Sequence, residues 1–328
     1  MSRVMAKGNA FMKSEVQPML QWRLPDWMDS PVVSNRNRFA QAYAEKTVDE
    51  ILQGYVGKSA KGMDNFFDEV FSAAGNINLN GVGLELGAGV SIFSTYIARR
   101  FPQTSSIYAL EVVPKVVQLL QPRIIQALCP NDSERILPVV GSFDDVELPD
   151  SSVDFCFEYA SLHHSDDLLV TLRETSRVLK PGAPLIMIDR IHHNGVTDEQ
   201  REFMLDVQYS PEWLAANGYD SGPLNRRQNG EHEIRRADWV ARLEQAGFKV
   251  EKEVQLREAS WRHLYRSTML SLPFRLRKVF NLLPSRVSPH PGELNWLVRH
   301  LMGSQDSKNS DFVAASSSFS VMVARKHK

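Results

Sequence analysis

The chain has 328 residues, 43% of them hydrophobic and 23% charged, with a formal net charge of −1. This is ordinary globular composition, long enough for a large domain with elaborations, and without the basic excess that recruits nucleic acid. No apolar run reaches the roughly 18–20 residues of a spanning helix, and residues 1–23 lack a continuous signal-peptide core, so the expected setting is soluble and cytoplasmic.

In chain order, residues 1–30 carry no regular pattern. Apolar residues then recur at helical spacing over 39–55 and 63–74, so residues 1–75 read as an N-terminal arm and helical cap. A turn-rich stretch, 76–81, leads into Val82, Leu84 and Leu86, which alternate as a short strand. Glu85 lies near the end of that strand. Gly87, Ala88 and Gly89 follow and open a helix over 92–100. Such a turn lets a ligand approach the backbone, and the helix start offers it free N–H groups. The next strand, 107–111, ends on Glu111, 20 residues after Ser91, where a carboxylate can take ribose hydroxyls. The frame is that of a nucleoside site. A dinucleotide fingerprint would need glycine where Ile92 stands, and a pyrophosphate would be repelled by Glu85. A cationic cofactor would welcome that carboxylate.

At these residues the chain resembles the class I S-adenosylmethionine (SAM)-dependent methyltransferases, whose first motif is acid-x-Gly-x-Gly-x-Gly. Ser91 replaces the last glycine. The resemblance extends over about 81–189. It implies an adenine loop at Ser142 and Phe143, with Ser142 where many relatives carry Asp. It implies a fourth strand over 155–158, with Glu158 and Tyr159 beside the methionine portion. It also implies a Lys-Pro-Gly turn at 180–182 into the fifth strand. Glu85, Gly87, Ala88, Gly89, Glu111, Ser142, Phe143, Glu158 and Tyr159 are accordingly the expected cofactor-binding residues. The expected fold is α/β, a Rossmann-like doubly wound seven-stranded sheet. The SAM-binding core spans 76–256, a helical insertion or lid 257–318, and the final strand with a basic tail 319–328.

The insertion carries eight Lys or Arg residues between 257 and 300, interleaved with apolar ones and broken by prolines. That pattern fits first a helical subdomain with a solvated face, and second a lid contacting an anionic substrate or a membrane surface. Cys129 and Cys156 form no CxxC pair, so no disulfide framework or zinc site is indicated and no metal is assigned.

Methyl transfer to oxygen needs a base, and histidine is the usual one near neutral pH. Two pairs stand at strand exits: His163 and His164 after strand four, and His192 and His193 after strand five. Asp189 is placed to orient one of them, and Glu158 to bind an amine or act as a base. The expected activity is SAM-dependent methylation of a small-molecule acceptor, with O-methylation of a metabolite, natural product or saccharide favoured and no nucleic-acid partner. The rival readings are an NAD-dependent oxidoreductase and a non-catalytic SAM-binding protein working at a membrane surface or with a partner. The acceptor and the oligomeric state are not legible.

Overall fold

Eight strands form one sheet in the computed structural model, which describes residues 18–75, 77–192, 194–209, 211–216, 219, 222–255 and 319–327. They are β1 (Leu20–Gln21), β2 (Gly81–Leu86), β3 (Thr104–Glu111), β4 (Ile136–Val140), β5 (Phe155–Tyr159), β6 (Pro184–Arg190), β7 (Phe248–Gln255) and β8 (Phe319–Lys326), in the order β1-β4-β3-β2-β5-β6-β8-β7. All pairings from β1 to β6 are parallel, and β8 lies antiparallel between β6 and β7. The chain runs outward from β2 to β3 and β4, then returns to β5 on the other side of β2. This reversal opens a crevice beyond the carboxyl ends of β2 and β5, the place where open α/β sheets bind ligands.

One expectation changes. The sheet has an eighth strand because residues 20–21, in a stretch without readable pattern, pair with Val139 and Val140 at the edge. Residues 320–324 of β8 are buried without alternation, because a strand flanked on both sides packs on both faces.

Helices α1 (Pro31–Tyr43), α2 (Val48–Val56) and α3 (Ala60–Ala74) make the N-terminal cap. The single period over 39–55 is two helices. Thr47 accepts from the Glu50 backbone while the Glu50 carboxylate accepts from Thr47, and this capping box starts α2 afresh. Helices α4 (Ile92–Arg100) and α5 (Gln121–Leu128) join the cap on one face of the sheet. On the opposite face lie α6 (Leu168–Val178) and, after α7 (Asp198–Leu205) and α8 (Pro211–Ala216), α9 (Arg236–Gln245). Alternation along β5 feeds both cores: Phe155 and Phe157 point into the cap-side cluster, Cys156 into the other. Burial pushes the Cys156 thiol well up, as expected of a small core residue. The insertion expected at 257–318 lies outside the described residues. No helix among the described residues is long and apolar enough to cross a membrane.

Candidate active site

The turn between β2 and α4 sits at the crevice. Gly87 and Gly89 have φ of 67° and 50°, and Ser91 keeps 62° although it is not glycine. That left-handed conformation costs a residue with a Cβ about 1–2 kcal/mol. Ser91 therefore occupies the third glycine position with glycine's backbone shape. It gives α4 no side-chain cap. Glu85 does so from the strand: its Oε2 accepts from the Ser94 backbone N–H at 3.0 Å and from the Ser94 hydroxyl. Burial pushes the Glu85 carboxyl up to about 8, against the pull of those Ser94 bonds. Glu85 thus stands at the start of α4, beside the glycine turn.

Glu111 ends β3 beside the same turn. It accepts from Gly89 N–H at 2.8 Å and Val113 N–H at 3.0 Å, and burial raises its pKa. A carboxylate has about four lone-pair sites, so capacity remains for ribose hydroxyls. Gln121 donates to the Gly89 carbonyl at 2.8 Å. Its own Oε1 and the Ser91 Oγ are buried without a hydrogen-bond partner among the described residues. A Cβ on Gly89 would lie 2.7 Å from the Tyr55 ring, so the cap's α2 lays an aromatic directly over the turn. A Cβ on Gly87 would collide with Ser161. Ala88 is buried and donates to the Leu110 carbonyl at 2.7 Å. Ser142 follows β4, and its hydroxyl accepts from Asp144 N–H at 3.1 Å. Phe143 is half-buried against the α6-side core.

Across the crevice, at the ends of β5 and β6, Glu158 is fully buried. Its carboxylate accepts from Ser161 N–H at 3.0 Å, the Ser161 hydroxyl at 3.1 Å and Ile188 N–H at 2.8 Å. Burial, aided by Asp189, raises its pKa well above the usual range. Glu158 therefore ties β5 to β6 through these donors. Tyr159 is half-buried and packs on Phe66 and Phe67 of α3.

Asp189 orients His163. The imidazole Nδ1 lies 2.6 Å from Oδ1, and the His163 backbone N–H donates to Oδ2 at 3.0 Å. The neighbouring His164 ring lies 4.3 Å away, centroid to centroid, with its Nδ1 3.0 Å from the Gly230 carbonyl. Burial, with the charges of His163, Arg36 and Arg190, holds the His164 pKa well below its ordinary value, so the ring is neutral. A carbonyl only accepts, so the proton sits on Nδ1 and Nε2 carries the lone pair.

His192 is different. It is buried and its Nε2 contacts Glu233, inside a cluster formed with Arg190, Arg226, Glu231 and Tyr209. Burial alone would raise Glu233, yet Arg190 and His192 hold it below the usual carboxylate range. His192 thus belongs to an internal ion network. His193 lies outside the described residues. The cluster itself was not anticipated: Arg190, Arg226, Glu231 and Glu233 come from separate segments with no common spacing. It pins the 225–235 loop over the histidine pair, with His232 N–H donating to the His163 carbonyl at 2.8 Å. Among the described residues no group of three or more His, Cys, Asp or Glu side chains could hold a metal ion.

Residues 84–187 match the family model described as a methyltransferase domain. The chain carries a methyltransferase domain. The match agrees with the resemblance to the class I SAM-dependent methyltransferases. The match covers β2 to β6, which is the glycine turn, both acids and the His163–His164 exit. It sets the nicotinamide alternative aside. The fold is also shared with solved structures. One is a provisionally assigned sarcosine dimethylglycine methyltransferase from Galdieria sulphuraria, at 20% identity and TM-score 0.53, covering 81% of this chain and 85% of that one. Another is phosphoethanolamine N-methyltransferase 2 from Haemonchus contortus with SAM bound, at 13% identity and TM-score 0.52, covering 92% of this chain and 60% of that one. A third is the 4+2 cyclase SpnF, at 15% identity and TM-score 0.54, covering 95% and 98%. The reactions named for these three differ, so the likeness speaks to architecture rather than acceptor.

Proposed function

We propose that the protein transfers a methyl group from SAM to an oxygen of a small-molecule acceptor, a metabolite, natural product or saccharide, with His163 as the base. The observation that carries this reading is the His163–Asp189 pair, 2.6 Å apart at the crevice. Nδ1 donates to the carboxylate, leaving Nε2 to take a proton while Asp189 steadies the charge that results. His164 presents Nε2 as a second acceptor that can align a hydroxyl without itself holding a charge.

When bound, SAM supplies a carbon already activated by its sulfonium. The chain's share is alignment, exclusion of water and proton removal. Gly87, Ala88 and Gly89 would hold the cofactor along the turn, Glu111 its ribose, and Ser142 and Phe143 its adenine. The fit rests on the left-handed glycines and on two buried polar atoms, Ser91 Oγ and Gln121 Oε1, that find no partner among the described residues. The cap over 31–75, with Tyr55 over Gly89, would shut water out of this half of the site.

Calorimetric titration with S-adenosylhomocysteine tests the cofactor assignment, with NADH and Gly87→Arg as controls. Micromolar binding, abolished by Gly87→Arg and absent for NADH, is expected. Folded wild-type protein that ignores S-adenosylhomocysteine would sink the proposal. A screen with labelled SAM then separates acceptors. Asp189→Asn should depress transfer to hydroxyls and spare transfer to amines that are already neutral.

A further inference from the structure

The cationic side chains near the histidine pair fall into two groups. Arg190 and Arg226 are each matched to Glu231 and Glu233. Arg36, delivered from α1, is not matched in this way. It is half-buried, its guanidinium stacks 5.6 Å from the Tyr55 ring centroid, and it makes no hydrogen bond or ion pair among the described residues. Tyr219, Tyr55, Glu111 and Glu231 are the groups whose charges act on it, and its own charge is felt by His164. Three of these neighbours, Tyr219, Glu231 and His164, belong to the acceptor side of the crevice, and Tyr55 covers the glycine turn. A guanidinium offers five N–H donors in a planar fork, and carboxylates and phosphates match that fork in pairs. Leaving such donors unused in a partly desolvated place is costly.

We propose that Arg36 is the receptor for an oxyanion on the methyl acceptor, so that the acceptor is an anionic small molecule carrying a carboxylate or phosphate group. This rests on the methyltransferase reading above for its site, and it adds the substrate's chemical class. Stacking on Tyr55 fixes the plane of the fork. Its position near His164 sets the oxyanion beside the group to be methylated, so the charge selects the molecule and the histidines address its nucleophile. Glu111 and Glu231, the carboxylates near Arg36, have other partners: backbone N–H groups for Glu111, and Arg190, Arg226 and Tyr209 for Glu231.

The test uses the full-length protein saturated with S-adenosylhomocysteine, titrated with benzoate, inorganic phosphate and, as neutral control, benzyl alcohol. Benzoate or phosphate should bind, whichever form of oxyanion the site takes, and benzyl alcohol should bind much more weakly. Arg36→Gln should weaken oxyanion binding at least tenfold, with S-adenosylhomocysteine affinity within twofold of wild type. Arg36→Lys should retain part of it, having the charge without the fork. Loss of S-adenosylhomocysteine binding in Arg36→Gln, without any oxyanion site on the loaded wild type, would overturn the proposal and give Arg36 to the cofactor's own carboxylate. Equal oxyanion binding in wild type and Arg36→Gln would also overturn it. Asp220, next to Tyr219 in sequence, supplies a further check. If Asp220→Asn binds benzoate and phosphate while wild type does not, Arg36 already holds an internal carboxylate and the proposal fails. Arg36-dependent oxyanion binding in a protein that ignores S-adenosylhomocysteine would instead remove the methyltransferase reading and leave the oxyanion site standing.

Discussion

The two halves of the crevice use charge in opposite ways. On the proposed cofactor half, Glu85 accepts from the start of α4 and Glu111 from the glycine turn and the residues after β3, and the glycines between them set the turn's shape. On the acceptor half, Arg190, Arg226, Glu231, Glu233 and His192 pair with one another and hold a loop in place. The first arrangement is local: a strand, a turn and a helix start, all within 30 residues. The second joins positions some 40 residues apart, and each partner depends on the others to offset its burial. A local device tolerates variation around it. A mutual one does not.

The comparison can be broken first at the base. His163→Ala should lower kcat by about a hundredfold to ten-thousandfold, the usual range for a positioned base, while S-adenosylhomocysteine binding stays within twofold. An equal loss of binding would show that His163 shapes the pocket instead. Next, Arg226→Met should cost about 3–5 kcal/mol of stability in denaturant unfolding, because it strands buried carboxylates. A cost typical of an exposed ion pair, below about 1 kcal/mol, would mean the network is wet.

On the local half, Gly87→Ala should lose about 1–2 kcal/mol to left-handed strain alone, with a further loss from the collision with Ser161. The same variant should weaken S-adenosylhomocysteine. The pH dependence sharpens this side. Burial lifts Glu85 from 4.5 to about 8, so the folded state holds a proton that the unfolded state has released. Stability relative to Glu85→Gln should be greatest below pH 4.5, fall as the pH rises to about 8, and then level off. A difference that grows with pH would show Glu85 held as the anion. The smallest effect is a gain: Ser91→Gly should add about 1 kcal/mol by relieving the positive φ, with a small rise in melting temperature.

The frame of the glycine turn was legible because its residues are neighbours in sequence: Glu85, Gly87, Gly89 and Glu111 fall within 27 positions and sit on a strand–turn–helix–strand frame. The helix at 92–100 and the end of β3 on Glu111 agree with the pattern that announced them. What sequence could not show is where a carboxylate spends its lone pairs. Glu158 looks like a ligand at a strand end, and only the fold reveals three donors converging on it, two from Ser161 just past β5 and one from β6. His192 and His163 occupy equivalent strand exits, yet Glu233 takes one and Asp189 the other. Arg36 gave no signal, since an arginine on an amphipathic helix reads as a solvated residue until the helix is seen packed over the turn. The two-residue β1 is too short to carry any period, and the unbroken burial of β8 follows from its place between two strands, which a single sequence does not reveal.

That place has a consequence for how the protein is made. Among the described residues β7 reaches the sheet only through β8, and β8 is synthesised more than 60 residues after β7 ends. While a ribosome is still reading those residues, β6 lacks its β8 neighbour and β7 lacks the one strand it pairs with among the described residues. Exposed strand edges of this kind invite pairing with other chains. The pairing of β6 and β7 therefore waits on β8, and a polypeptide released short of Phe319 would carry its whole glycine turn yet leave the β6 edge without that strand.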